Sequence, residues 1–141
     1  MAKLHLIKLS VGSERVATQA AWQAERMVLT GSTPRHVTRM WPRRADELLD
    51  GGSIFWVIKG VVQSCQQIIR LDEVIGEDGI RRCGIVLDSQ LHHTHPQPRR
   101  PFQGWRYLTD EDAPQIGAPY QEGAETLPAE LQAQLATLGV L

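Results

Sequence analysis

Two short runs set arginine among aromatic residues: Arg39-Met-Trp41-Pro-Arg43-Arg44, and Arg99-Arg100-Pro-Phe102-Gln-Gly-Trp105-Arg106-Tyr107. A guanidinium is a planar fork that matches two phosphate oxygens, and an aromatic face stacks on a base. Together they fit single-stranded RNA or a modified, splayed-out nucleotide. With Trp56 from the middle of the chain, these residues form the candidate nucleic-acid-binding set. The same composition also serves plain structure, with Trp105 and Tyr107 in the core and Arg106 pointing outward or paired with an acid.

The second group with chemical capacity is His92, His93 and His95. An extended chain places His93 and His95 on one side. No cysteine, helical histidine pair or paired acid stands near them at ligand spacing. A polar loop, a nucleic-acid contact and a small metal-dependent enzyme using the three histidines, with a metal or with Asp88, remain open as readings. No serine sits in a nucleophile elbow, neither cysteine has an acid-base partner close in sequence, and no glycine-rich phosphate loop occurs. The sequence therefore assigns no catalytic residue, no metal ligand and no cofactor, and it favours a binding protein over an enzyme.

The elements that must carry these groups centre on Ser53 to Leu71, the longest proline-free stretch rich in β-branched and aromatic residues. Ile54, Trp56 and Ile58 share one face and Phe55 and Val57 the other, so both faces are expected to be covered. Gly60 marks a bend or bulge before a strand that runs to about Val74. Glu77-Asp78-Gly79 is a turn signal, and Ile80 to Asp88 returns as a strand. Before the centre, Leu4, Leu6 and Leu9 predict a strand at the sheet edge. Val16, Ala20, Ala24, Met27 and Val28 predict a helix capped by Ser13 and stopped by Gly31, with Trp22 covering its flank beside Arg26 and Leu29. Arg35 to Trp41 alternates as a second strand, and Pro42 opens a short helix that ends at Gly51-Gly52. After the centre, the prolines from Pro96 to Pro101 force an extended chain, and a last short strand begins at Trp105.

A chain of 141 residues with 42% hydrophobic and 22% charged residues is an ordinary globular composition, sized for one domain. Residues 1–112 are expected to form a single α+β domain, a curled, mainly antiparallel sheet or a small barrel with flanking helices. Residues 113–126 read as an acidic linker and 127–141 as a helix with a stripe at Leu131, Leu135 and Leu138, suited to a protein partner. Residues 1–107 hold all 15 bases with 10 acids, and residues 108–141 hold 6 acids and no base. The basic body and acidic tail either reflect ordinary surface charge or let the tail compete for a basic face. No apolar run reaches the roughly 20 residues of a membrane span, and the opening residues lack a secretory stretch, so a cytoplasmic protein is expected. Pairing about the turn at Gly76 to Gly79 sets Cys65 opposite residue 90 and Cys83 near Asp72. Two reduced, packed thiols about 20 Å apart are therefore expected.

The strings Arg35-His-Val-Thr-Arg-Met-Trp-Pro, Ala45-Asp-Glu-Leu-Leu-Asp-Gly-Gly, Glu77-Asp-Gly-Ile-Arg-Arg-Cys83 and Arg99 to Leu108 resemble a family of small bacterial proteins, domain of unknown function 1489. The likeness spans Lys3 to Asp112 and implies no activity. The order of a short helix ending at Gly51-Gly52, an aromatic strand and a Gly60 bend more loosely resembles the PUA-like superfamily, with its EVE, ASCH and YTH domains. That likeness implies a β-barrel that binds RNA or a modified base in a cleft walled by aromatics, for which Trp41, Trp56 and Trp105 are candidates.

Overall fold

Strand β3 (Ser53–Ile58) has all six residues buried, and its neighbours show why. It pairs in parallel with β1 (Leu4–Leu9) on one side and antiparallel with β4 (Val61–Ile75) on the other. The computed structural model describes residues 3–121. Its remaining elements are α1 (Val16–Thr30), β2 (Arg35–Thr38), α2 (Ala45–Leu48), β5 (Arg81–Leu87), β6 (His92–Pro98), β7 (Trp105–Thr109) and β8 (Ile116–Pro119). The strand order is β2-β5-β4-β3-β1-β7, with β6 on the first half of β4 and β8 on β6. Every pairing except β1 with β3 is antiparallel. The result is a single sheet-rich α+β domain.

Three expectations about the strands need correction. β1 is an interior strand between β3 and β7, which accounts for the burial of Leu4, Leu6 and Ile7. Gly60 does not bend a strand: Lys59 and Gly60 both have positive φ, 50° and 76°, and form the two-residue turn of the β3–β4 hairpin. Within the segment expected as a linker, Ile116–Pro119 is a strand. All four of its residues are exposed, so no apolar alternation betrays it. Backbone bonds hold it at both ends, His95 N–H to Gln115 O and Tyr120 N–H to Leu91 O, each 2.8 Å. The helix expected over 127–141 lies outside the described residues.

Directly paired residues point to the same face of a sheet, so the register fixes two cores. On the inner face one row runs Trp105, Lys8, Trp56, Ser64 across β7, β1, β3 and β4, and the next runs Tyr107, Leu6, Ile54, Gln66. With Cys83, Ile85, Leu87 and Leu91 the apolar members of these rows form the larger apolar cluster. On the outer face Ile7, Phe55, Val57, Val62 and Cys65 pack with Phe102 and Leu108. The sheet is not closed, but side chains link its edges. Trp105 Nε1 donates to Met40 O at 3.0 Å, and the Arg44 N–H donates to the Tyr107 hydroxyl at 3.1 Å.

Two glycines steer the chain into β3. Gly51 has φ of 86°, and a Cβ on Gly52 would collide with the carbonyl oxygens of Leu4 and Leu48. Cys83 pairs with Glu73, one residue from the expected register, whereas Cys65 lies beyond the β4–β5 pairing and stands opposite His92 of β6; both thiols are free and buried. Among the described residues no helix is long and apolar enough to cross a membrane.

Helix α1 departs most from its expected packing. Its buried residues are Val16, Gln19 and Gln23, while Ala24 and Val28 of the expected stripe are exposed. Ser13 does not cap it: the N-cap is Arg15 without a side-chain bond, and Ser13 Oγ instead meets Ser10 Oγ at 3.0 Å. Gly31 ends the helix as expected, in the left-handed conformation with its N–H on Met27 O. The inner face beneath α1 is polar, with Lys8, Ser64 and Gln66 above the leucines and isoleucines, and glutamines are the side chains that can bond to it.

Candidate functional site: an acid-free cleft beneath helix α1

Gln66 organises the contact between helix and sheet. It is fully buried, and its carbonyl accepts from Gln23 Nε2 and from Trp56 Nε1, each at 2.9 Å. Its own Nε2 donates to Gln23 Oε1 at 2.8 Å and to the Asp88 carbonyl at 2.9 Å. Ser64 Oγ donates to Gln19 Oε1 at 2.6 Å. A buried amide with donors and acceptor all engaged fixes geometry, whereas one left unpaired costs about 1–3 kcal/mol. Trp56 is thereby locked with its indole N–H turned into the protein.

Long glutamines hold α1 off the sheet and leave space on both sides of their contact. A cavity of about 370 Å³ lies between the helix and β2, lined among others by Trp22, Gln23, Arg26, Arg35, His36 and Trp56. A smaller one of about 170 Å³ lies toward β1, lined by Lys8, Leu9, Ser10, Val11, Ser13 and Gln19 and by the shared Trp22, Gln23, His36 and Trp56. The two adjoin as lobes of the space beneath α1, with Trp22, Gln23, His36 and Trp56 lining both, and concave sites walled by aromatics with a few polar groups suit small ligands.

Three tryptophan and histidine rings shape the cleft. Trp56 is 6% exposed, and the His36 ring stands edge-on to it at 6.1 Å. Trp22 is 58% exposed with the Arg26 guanidinium 5.0 Å above its ring. Burial, with a smaller contribution from the charge of Lys8, pushes His36 down to about 4, so its ring is neutral at physiological pH. Burial also lowers Lys8. Lys8, Arg26 and Arg35 line the cleft, no Asp or Glu lines either lobe, and none of the three cations forms an ion pair among the described residues.

The arginine and aromatic runs touch where Arg44 meets Tyr107 and Met40 meets Trp105, and their rings are engaged by the protein. Trp105 is buried, packed edge-on to Tyr107 at 5.0 Å. Arg44 lies over Tyr107 at 5.6 Å and makes two bonds to Glu47, at 2.6 and 2.7 Å. Arg81 covers Trp41 at 4.1 Å, and the Trp41 Nε1 is enclosed without a hydrogen-bond partner. Phe102 belongs to the outer core, with Arg106 above it at 4.9 Å. Arg39, Arg43 and Arg100 are exposed and Arg99 is partly so. Of the candidate set Trp56 alone lines the α1 cleft.

The histidines of β6 do not converge. His92 sits opposite Cys65, His93 packs beside Tyr120 at 5.8 Å, and His95 is exposed. No group of three or more His, Cys, Asp or Glu side chains is placed to hold a metal ion among the described residues. His92 does line a polar hollow of about 340 Å³ with His5, Cys65, Asp88 and Asp110. His5 there is fully engaged: Nδ1 accepts from the Ser53 N–H at 3.0 Å, so Nε2 carries the proton that it donates to Asp110 at 2.8 Å. That leaves no free ring nitrogen for acid-base work. Burial pushes the Cys65 thiol up to about 12, which keeps it from forming a nucleophilic thiolate.

Lys8, Gln23, Arg35 and His36 were not among the candidate residues read from the sequence, and Trp22 and Arg26 entered that reading only on the helix flank. One sign was available: Gln63, Ser64 and Gln66 are polar residues in the buried first half of β4, and polar groups placed there require partners.

No curated protein and no solved structure matches the chain. One family matches residues 6–141, described as "Protein of unknown function (DUF1489)", and it spans nearly the whole sequence. The chain belongs to that family of unknown function.

Proposed function

We propose that the protein binds a nucleotide, in single-stranded RNA or carrying a modified base, in the cleft beneath α1. The observation that carries this reading is the make-up of the cleft wall: Trp22, Trp56 and a neutral His36 beside Lys8, Arg26 and Arg35, with no carboxylate. Aromatic faces hold a base by stacking, neutral imidazole can donate or accept on a base edge, and unpaired cations draw phosphate. The looser likeness to PUA-like domains, which take a base into an aromatic-walled cleft, supports the same reading. The exposed Arg39, Arg43, Arg99 and Arg100 serve on this reading as a flanking basic surface along which the rest of a strand would lie.

The test is a titration of intrinsic tryptophan fluorescence with short single-stranded RNA of mixed sequence and with modified nucleosides, at low salt. Saturable quenching is expected, and Trp22→Ala should weaken it about 5- to 150-fold, the worth of one stacked base. Trp22 is exposed, so this change spares the fold. Absence of binding above a charge-matched control protein would remove the reading.

A further inference from the structure

Lys8 is an unusual residue for its place. It stands on an interior strand, on the inner face, between Trp105 of β7 and Trp56 of β3 in one row. A lysine there would ordinarily give up part of its hydration for an ion pair, because a partly buried charge without a partner is costly. The five ion pairs among the described residues leave Lys8 out. Its side chain instead lines the smaller lobe of the cleft, where the Ser13 hydroxyl, which accepts from Ser10, keeps its own proton to donate and no acid competes. That lobe, about 170 Å³, has room for one tetrahedral oxyanion, and Trp22, Gln23, His36 and Trp56 line both it and the larger one.

Resting on the nucleotide reading above, we propose that the smaller lobe is a phosphate subsite: Lys8 receives a phosphate of the bound nucleotide while its base occupies the larger lobe beside Trp22 and Trp56. The ligand class is then a nucleoside phosphate rather than a free base or nucleoside. The sharing of four residues by both lobes supports one ligand bridging them. An ammonium suits the role because it is a point charge that tolerates several phosphate orientations, whereas the planar arginines Arg26 and Arg35 face the larger lobe.

The experiment is calorimetric binding of adenosine, guanosine, cytidine and uridine, each beside its 5′-monophosphate and a short single-stranded oligoribonucleotide, to the full chain and to Lys8→Met. The substitution keeps the apolar stem and removes the charge. Thermal melting checks the fold, which should be no less stable once an unpaired half-buried cation is gone. At least one monophosphate should bind the wild type about tenfold or more tightly than its nucleoside, the worth of one charge-assisted bond. Lys8→Met should erase that difference while nucleoside affinity stays put, and inorganic phosphate should compete with the wild type only. A preference for the oligonucleotide that vanishes in Lys8→Met would assign the subsite to a backbone phosphate. Equal binding of nucleoside and monophosphate by the wild type, or a preference that survives in Lys8→Met, would overturn the subsite and leave base binding intact. No binding of any of these probes would remove both.

Discussion

Gln23 of the helix and Gln66 of the central sheet form a reciprocal amide pair, each Nε2 donating to the other's Oε1 at 2.9 and 2.8 Å. This pair, with Trp56 Nε1 bonded to the same Gln66 oxygen, is what couples the position of α1 to the floor of the cleft. Gln66→Leu would leave the Gln23 amide and the Trp56 N–H buried without partners. A loss on the order of 2–4 kcal/mol in urea unfolding is expected, with faster amide exchange in α1. An unchanged unfolding midpoint would show that the pair contributes geometry and no stability.

His36 sets an acid-sensitive range. Its folded value of about 4 lies below the ordinary 6.5, chiefly through burial. Between those values the unfolded chain binds a proton that the folded protein does not, so stability falls as pH drops from 6.5 toward 4 and is retained above 6.5. The full shift corresponds to about 3 kcal/mol, reduced by the ring's residual exposure. His93 is lowered in the same direction and contributes to the same range. His36→Gln should flatten the stability curve there, as followed by urea midpoints at a series of pH values; an unaltered slope would contradict the assignment.

Gly52 admits no side chain, because any Cβ would meet the carbonyl oxygens of Leu4 and Leu48. Since the contacts are backbone, relaxation requires β1 or the end of α2 to move. Gly52→Ala is expected to lower stability by about 1–3 kcal/mol or more, as overpacking does, whereas Gly79→Ala in an open turn should act only through its backbone angle. Comparison of the two melting temperatures checks this.

Both thiols should resist alkylation in the folded protein. Burial raises Cys65 to about 12 and raises Cys83, so neither supplies thiolate at neutral pH. Reaction with a thiol reagent should proceed at the rate of unfolding, and prompt labelling of either residue would contradict the packing of β4 and β5.

The β4–β5 hairpin and the start of β3 were legible because β-branched runs, the Glu77 to Gly79 turn and the Gly51-Gly52 break are local signals. The strand order was not: β1 reads as an edge strand, since nothing local tells that β3 and β7 will flank it. Strand β8 escaped because backbone bonds alone hold it. The site was half legible. Trp56 was named by residue type, but Lys8, Trp22 and His36 come from three separate elements, and only the register of β1 on β3 and the standoff of α1 bring them together. The conspicuous Arg39 to Arg44 and Arg99 to Tyr107 runs met, yet their rings stack within the protein, a use that composition does not distinguish from ligand binding.

The four tryptophans give the most direct test, since each has one indole N–H and they divide between the cleft and the rest of the domain. A nitrogen–proton correlation spectrum, with single substitutions to assign the four indole signals, should be followed while a short single-stranded RNA is added. Trp22 and Trp56 are expected to shift together in a saturable manner while Trp41 and Trp105 stay in place. Shifts at Trp41 and Trp105 with Trp22 and Trp56 unmoved would return the site to the arginine and aromatic runs and contradict the assignment to the cleft.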